Sequence, residues 1–187
     1  MDDSPFLELC RVRKSVRRFA DRPVEREKIA LCLEAARRAP SADNMQPWRF
    51  VVFDDPEKKA QLADAVFRGA YALSKRLARA PVFVSLLIKE NILVNKVAGV
   101  IQGTQWQLVD AGIGGEHFVL AAAEQGLGTC WIGWYDGRAL IKHLGLRGRG
   151  YRPVALFALG YPAPDVSPNE RPRKPLSDIA SWNEPPR

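Results

Sequence analysis

The 187-residue sequence has no apolar run approaching the stretch of about 18 residues that marks a membrane-spanning helix. Its first residues, Met1-Asp2-Asp3-Ser4-Pro5, are acidic and lack the basic-then-apolar order of a secretory signal. Cysteine is scarce. Cys10, Cys32 and Cys130 are odd in number, widely spaced and free of CxxC pairing, which excludes an even disulfide framework. Reduced thiols in a cytoplasmic protein are therefore expected. The two histidines, His117 and His143, lie too far apart for a local metal site, so no zinc or iron centre is expected. Three chemical signatures are also missing. The glycines of Gly112-Ile113-Gly114-Gly115-Glu116-His117 lack the third member of GxGxxG and sit inside a helical pattern rather than after a strand. There is no GxxxxGK[ST] phosphate loop and no GxSxG elbow. Rossmann, nucleotide-triphosphatase and hydrolase readings lose their main support.

What is present is the composition of a globular chain, 47% hydrophobic and 26% charged. A domain near this size buries roughly 70% of its unfolded surface and needs no staple. One domain over residues 1–187 is expected, with 163–187 as an extended tail because six prolines fall within 164–187. Lys and Arg number 28 against 21 Asp and Glu, a net charge of +7. The excess crowds the ends, at Arg11, Arg13, Lys14, Arg17, Arg18 and Arg22 and again at Arg171, Arg173 and Lys174. Such a distribution attracts an anion: nucleic acid, anionic lipid or a phosphorylated small molecule.

Ser4-Pro5 reads as a helix start, with Phe6, Leu9 and Cys10 carrying the helix to about Arg13. A second helix is expected over Val24–Arg38, stopped by Ala39-Pro40. Pro40 to Pro47 is a loop, and Trp48–Phe53 a strand. Asp55-Pro56 opens a third helix, residues 68–79 are basic and helical, and Pro81–Ile88 is a uniformly apolar buried strand. Residues 89–105 show no period. A long helix runs from Gln105 to Gly126, followed by a strand Thr129–Trp134, a helix Gly137–Leu144 and a strand Pro153–Leu159. Helices first, then mixed strands and helices, is the order of an α+β domain.

Three segments carry candidate chemistry. In Arg13-Lys14-Ser15-Val16-Arg17-Arg18-Phe19, a helical turn would put Arg13 and Arg17 on one face with the Ser15 hydroxyl between them. Two guanidiniums and a hydroxyl match a phosphate dianion; a solvated basic turn accounts for the same residues. The Pro40–Pro47 loop offers Ser41, Asn44 and Gln46, whose donors and acceptors suit the edge of a heterocycle, although it also serves as an ordinary connection. In Gly126-Leu127-Gly128-Thr129-Cys130-Trp131-Ile132-Gly133-Trp134, glycine at a strand end lets a flat ligand approach the backbone. Cys130 has no nameable base partner and reads as a packed strand cysteine.

Taken in order, these segments resemble the nitroreductase family of flavoproteins. The matching pieces are Arg13-x-Ser15-x-Arg17-x-Phe19, Ala39-Pro40-Ser41-x-x-Asn44-x-Gln46-Pro47-Trp48, Asp110-x-Gly112, Gly126-Leu127-Gly128-Thr129-Cys130-Trp131-Ile132-Gly133 and Leu159-Gly160-Tyr161-Pro162. The resemblance implies an α+β fold with a mainly antiparallel central sheet flanked by helices, intertwined as a homodimer with one FMN at each of two interface sites. It implies that Arg13, Ser15 and Arg17 hold the FMN phosphate, with the Lys14 backbone close by. Pro40, Ser41, Ala42 and Asn44, with Gln46 beside them, would reach the ring from the partner subunit. Ile132, Gly133 and Trp134 would lie against the ring near N5. Arg171 and Arg173 would add phosphate contacts from the tail, and Lys75 would place a cation near N1 and O2, although the family's nearby asparagine is Ala72 here. Gly133 stands where some relatives carry an acidic residue, so no side chain is assigned a catalytic proton transfer. The implied activity is ping-pong electron transfer from NAD(P)H through FMN to a small electron-poor acceptor: a nitroaromatic, a quinone or free flavin. The alternatives are a flavin-binding relative with a changed reaction (dehalogenation or flavin fragmentation) and a basic nucleic-acid-binding protein. The favoured reading involves neither nucleic acid nor membrane.

Overall fold

The computed structural model describes residues 4–89, 103–166 and 172–185. Among the described residues, nine α-helices and β-strands follow one another: α1 Pro5–Val12, α2 Arg26–Arg37, β1 Trp48–Phe53, α3 Pro56–Val66, β2 Val82–Lys89, α4 Trp106–Glu124, β3 Gly128–Ile132, α5 Gly137–His143 and β4 Tyr151–Gly160. The strands form one sheet in the order β1-β2-β4-β3, with every pairing antiparallel. This is the α+β class expected from the element order.

The continuous apolar run of β2 follows from its central place, with both faces covered. Val82, Val84, Leu86 and Ile88 pack with α2 and α4 around Phe118 and Phe157. Phe83 and Leu87 point the other way, toward Leu62 of α3 and Leu140 of α5. Each fully buried side chain of this size contributes roughly 1.5–3 kcal/mol, so the two layers hold the sheet rigid. Gly115 of α4 lets the helix approach closely: an added Cβ would sit 2.4 Å from the Trp131 ring. An added Cβ at Gly114 would likewise meet the Trp48 ring at 3.2 Å, while at Gly112 nothing lies within 4 Å.

β3 is an edge strand, and an exposed edge invites unwanted pairing. Here the Arg13–Phe19 segment covers it. Ser15 bridges Thr129 in parallel, and the Val16 N–H donates to the Thr129 carbonyl at 2.8 Å. Farther along, Phe19 bridges Pro162, the Ala20 N–H donates to the Tyr161 carbonyl at 2.9 Å, and the Ala163 N–H donates to the Arg18 carbonyl at 3.1 Å.

Three expected boundaries shift. α2 begins at Arg26 because Glu25 is still extended (φ −63°, ψ 132°). Residues 68–79 are helical, as a 3-10 helix that begins one residue later, Gly69–Arg79. β3 ends at Ile132, so Gly133 and Trp134 leave the sheet. Most of the unassigned stretch 89–105 lies outside the described residues.

Candidate functional site

The first correction concerns the arginine segment. Arg13 closes α1 in an extended conformation (φ −62°, ψ 124°), and the chain stays non-helical through Phe19. Arg13, Ser15 and Arg17 do share a face, but by the alternation of extended backbone. Val16, on the other face, is 2% exposed and seated on Gly128, where an added Cβ would lie 2.6 Å from Val16 Cγ2. That seat turns Ser15 and Arg17 outward, both exposed. Arg17 Nη1 donates to the Ser15 carbonyl at 3.3 Å. Arg13 is half-buried and near enough to Glu116 of α4 for their charges to interact. Burial pushes the Glu116 carboxyl up, against the opposing pull of Arg13, His117 and a hydrogen bond from Trp131. Lys14 is half-buried beside Arg13.

The Pro40–Pro47 loop is held from below by α4. Asp110, 3% exposed, accepts the Ala42 N–H through Oδ1 at 3.0 Å. Asp43, Asn44 and Gln46 have φ of 49°, 53° and 47°, a left-handed conformation uncommon outside glycine. Local hydrogen bonds offset that cost: the Gln46 N–H donates to Ser41 Oγ at 3.0 Å, and Gln46 Nε2 to Asn44 Oδ1 at 2.9 Å. The Gln46 amide is therefore spent inside the loop. Pro40 and Asn44 are exposed, and Ser41 is half-buried. The loop rests on α4 and the arginine segment on β3, so different elements position the two expected halves of the site.

At the other end of β3, Ile132 is buried, while Gly133 and Trp134 emerge. Nothing lies within 4 Å of where a Gly133 Cβ would stand, so the backbone there is open to a flat ligand. Trp134 is 57% exposed yet fixed: its Nε1 donates to the Ala70 carbonyl at 2.8 Å and its carbonyl accepts from Ser74 Oγ at 2.7 Å. The Tyr71 ring lies 5.3 Å from the Trp134 ring. All three partners belong to the 3-10 helix, whose period of three eclipses residues i and i+3. Ser74 and Leu77 face inward, and Arg76 and Arg79 share another side.

That period sets where the neighbouring cations point. Lys75 is turned to α3, where its Nζ pairs with Asp64 Oδ1 at 3.1 Å. Arg76 instead joins Arg17, Arg18, Phe19, Arg79 and Ala163 around a cleft of about 690 Å³. Of its four guanidiniums, Arg18 is paired with Asp165 at 2.5 Å. Burial raises the Cys130 thiol's pKa, against the opposing pull of both Arg17 and Arg76. The two cations therefore come together over β3. Arg173 lies exposed in the tail and Arg171 outside the described residues. No cluster of potential metal ligands occurs among the described residues, nor any helix long and apolar enough to cross a membrane.

The sequence model of the Nitroreductase family matches residues 10–161. The chain belongs to the Nitroreductase family. Among relatives, it is 32% identical to an NADH dehydrogenase of Thermus thermophilus, covering 91% of this chain and 92% of the other. It is 27% identical to a 5,6-dimethylbenzimidazole synthase of Rhodospirillum rubrum, covering 80% and 78%. A nitroreductase of Desulfovibrio desulfuricans crystallised in complex with FMN superposes with TM-score 0.77 at 29% identity, covering 98% of this chain and 99% of that one.

Family membership gives context to residues the sequence reading left without a task. Asp110 was matched as a motif letter; its task is to anchor the Ala42 end of the loop. The Tyr161-Pro162 motif holds the arginine segment through backbone bonds, and the Tyr161 hydroxyl donates to Glu25 Oε2 at 2.7 Å while Arg22 covers its ring at 3.8 Å. Arg76 and Arg79 were passed over altogether. The i+3 spacing of these two basic residues is the signal that a 3-10 turn would bring them to one side.

Proposed function

We propose that this member of the Nitroreductase family is an FMN-dependent oxidoreductase that draws reducing equivalents from NAD(P)H and delivers them to an electron-poor small molecule. The observation that carries this reading is the meeting of Arg17 and Arg76 on one cationic cleft, beside the Ser15 hydroxyl segment that covers the edge of β3. The donor set suits FMN. Guanidiniums and the Ser15 hydroxyl serve a phosphate dianion, the open backbone at Gly133 serves the edge of a flat ring, and Ser41 and Asn44 supply heterocycle-matching groups.

In this reading Arg13, Lys14, Ser15 and Arg17 bind the phosphate, with Arg171 and Arg173 adding charge from the tail. Pro40, Ser41, Ala42 and Asn44 contact the ring bound in the other subunit. Gln46 acts by stiffening that loop, and Asp110 positions it. Ile132, Gly133 and Trp134 form the floor beneath the ring. Arg76, rather than the Asp64-paired Lys75, provides the fixed positive charge that favours an electron-rich ring. The flavin, when bound, supplies the redox chemistry, and the protein supplies binding, orientation and electrostatics. Donor and acceptor use one slot in turn, a ping-pong order that needs no separate nucleotide-binding fold.

The same reading takes the active unit as a homodimer. α1 has only eight residues and buries none of them, leaving Phe6, Leu7 and Val12 exposed. Helices this short are marginal in water without a partner surface. Trp106 and Val109 at the start of α4, and Leu176, Ile179 and Trp182 in the tail, add further exposed apolar groups. Similarity to the dimethylbenzimidazole synthase favours a second reading, a flavin-binding relative with a changed reaction.

Anaerobic stopped flow separates the two. NAD(P)H should bleach the bound flavin, and a quinone or nitroaromatic added after the nicotinamide has left should restore its full absorbance. Flavin that resists bleaching sinks the oxidoreductase reading; flavin that is lost irreversibly in air supports the second.

A further inference from the structure

Tyr71 faces two ways. Besides meeting Trp134, it lines a second cleft of about 740 Å³, within the usual range for small-molecule sites. Three arginines from three parts of the chain also line it: Arg138 in the first turn of α5, Arg147 in the loop after α5, and Arg152 near the start of β4. Asp136 is the one carboxylate among the described residues of the lining, and its Oδ1 is already committed to capping α5, accepting the Arg138 and Ala139 N–H groups at 2.9 and 3.0 Å. Arg138 and Arg147 are exposed, with no ion pair among the described residues, and Arg152 donates to Gln105 Oε1 at 2.8 Å. Like charges gathered around one cleft repel unless an anion joins them, and a guanidinium fork fits phosphate oxygens in pairs. Tyr71 and Pro153 add flat apolar surface beside the charges.

We propose that this cleft is a phosphate-binding site for the nicotinamide dinucleotide and makes the enzyme prefer NADPH to NADH. The inference rests on the function proposed above, since it takes the hydride donor to be such a dinucleotide. NADPH and NADH differ only in the 2′-phosphomonoester. That group is the more highly charged of the phosphates on offer and the one three guanidiniums would single out. The diphosphate bridge is common to both dinucleotides, so a site for the bridge would not discriminate. Tyr71 sets the cleft beside Trp134, next to the segment assigned to the flavin ring.

The test is calorimetric titration of the FMN-loaded protein with 2′-phospho-ADP-ribose and with ADP-ribose at low salt. The expected result is about tenfold or tighter binding of the 2′-phosphorylated fragment, a margin that narrows as salt screens the exposed arginines. In the double variant R138A/R147A the ratio should fall to about one while flavin content and melting temperature hold. Should that variant lose its fold, the single reversal Arg147→Glu reads the same ratio. Equal affinities in the unaltered protein overturn the proposal. So does an equal loss for both fragments in the variant, which would assign the cleft to the diphosphate bridge. A protein that takes up no FMN defeats the flavin reading instead, and fragment titration of that preparation still judges the cleft.

Discussion

Two segments bring cations to the same cleft by opposite means. The Arg13–Phe19 segment is extended and held through its backbone, bridged to Thr129 and Pro162 with Val16 plugged against Gly128. The Gly69–Arg79 segment is a 3-10 helix held through side chains, with Ser74 bonded to the Trp134 carbonyl and Tyr71 against the Trp134 ring. In the first, a period of two presents Arg17; in the second, a period of three presents Arg76 and turns Lys75 away. Backbone period, more than residue type, decides which charge reaches the cleft.

The largest effect is expected from unseating the extended segment. Gly128→Ala drives a Cβ into the branched Val16 side chain, which has no flexible end to yield. Overpacking of this kind costs about 1–3 kcal/mol, and FMN affinity should fall with it; an unchanged melting temperature and flavin content would show that Val16 does not position Arg17. Arg17→Ala removes one guanidinium and leaves the seat intact. With charged hydrogen bonds worth about 1.5–3 kcal/mol, FMN should bind roughly 10- to 150-fold more weakly. Riboflavin affinity, measured beside it, should barely move.

The 3-10 segment is probed by paired substitutions. Arg76→Ala should weaken reduced relative to oxidised FMN about tenfold, lowering the two-electron potential by about 30 mV. Lys75→Ala should leave that potential in place, because its partner is Asp64. The reverse ranking in spectroelectrochemical titration would return the role to Lys75. The smallest effect is at Tyr161, which clamps the extended segment to the end of β4. Its hydrogen bond is the largest influence holding the Glu25 carboxyl down at about 2 rather than 4.5, with Arg22 assisting. A depressed carboxyl stabilises the fold above pH 4.5, and that contribution is lost as pH falls toward 2. Tyr161→Phe should move the Glu25 titration, followed by NMR, up toward 4.5; an unmoved titration would assign the depression to Arg22 and the backbone.

Much of the fold was legible in the sequence because burial on both faces of a sheet leaves few alternatives. β1 runs from Trp48 to Phe53, as its residues imply, and the apolar run of β2 could not be placed anywhere but the centre. Conformation was harder to read than pairing. A spacing of four, as between Arg13 and Arg17, puts two residues on one face of a helix and of a strand alike, so the pairing was legible and its conformation was not. Lys75 is offered by the resemblance alone, which carries no information on the 3-10 turn that sets Lys75 toward Asp64 and Arg76 toward the cleft. The task of Asp110 was not legible because its partner, the Ala42 N–H, lies 68 positions away.

The most direct measurement is an FMN titration of flavin-free protein, with absorbance for stoichiometry and light scattering for mass. The account requires one FMN per chain, bound in a particle of two chains. A colourless particle of 20.9 kDa that leaves added FMN free in solution would contradict it.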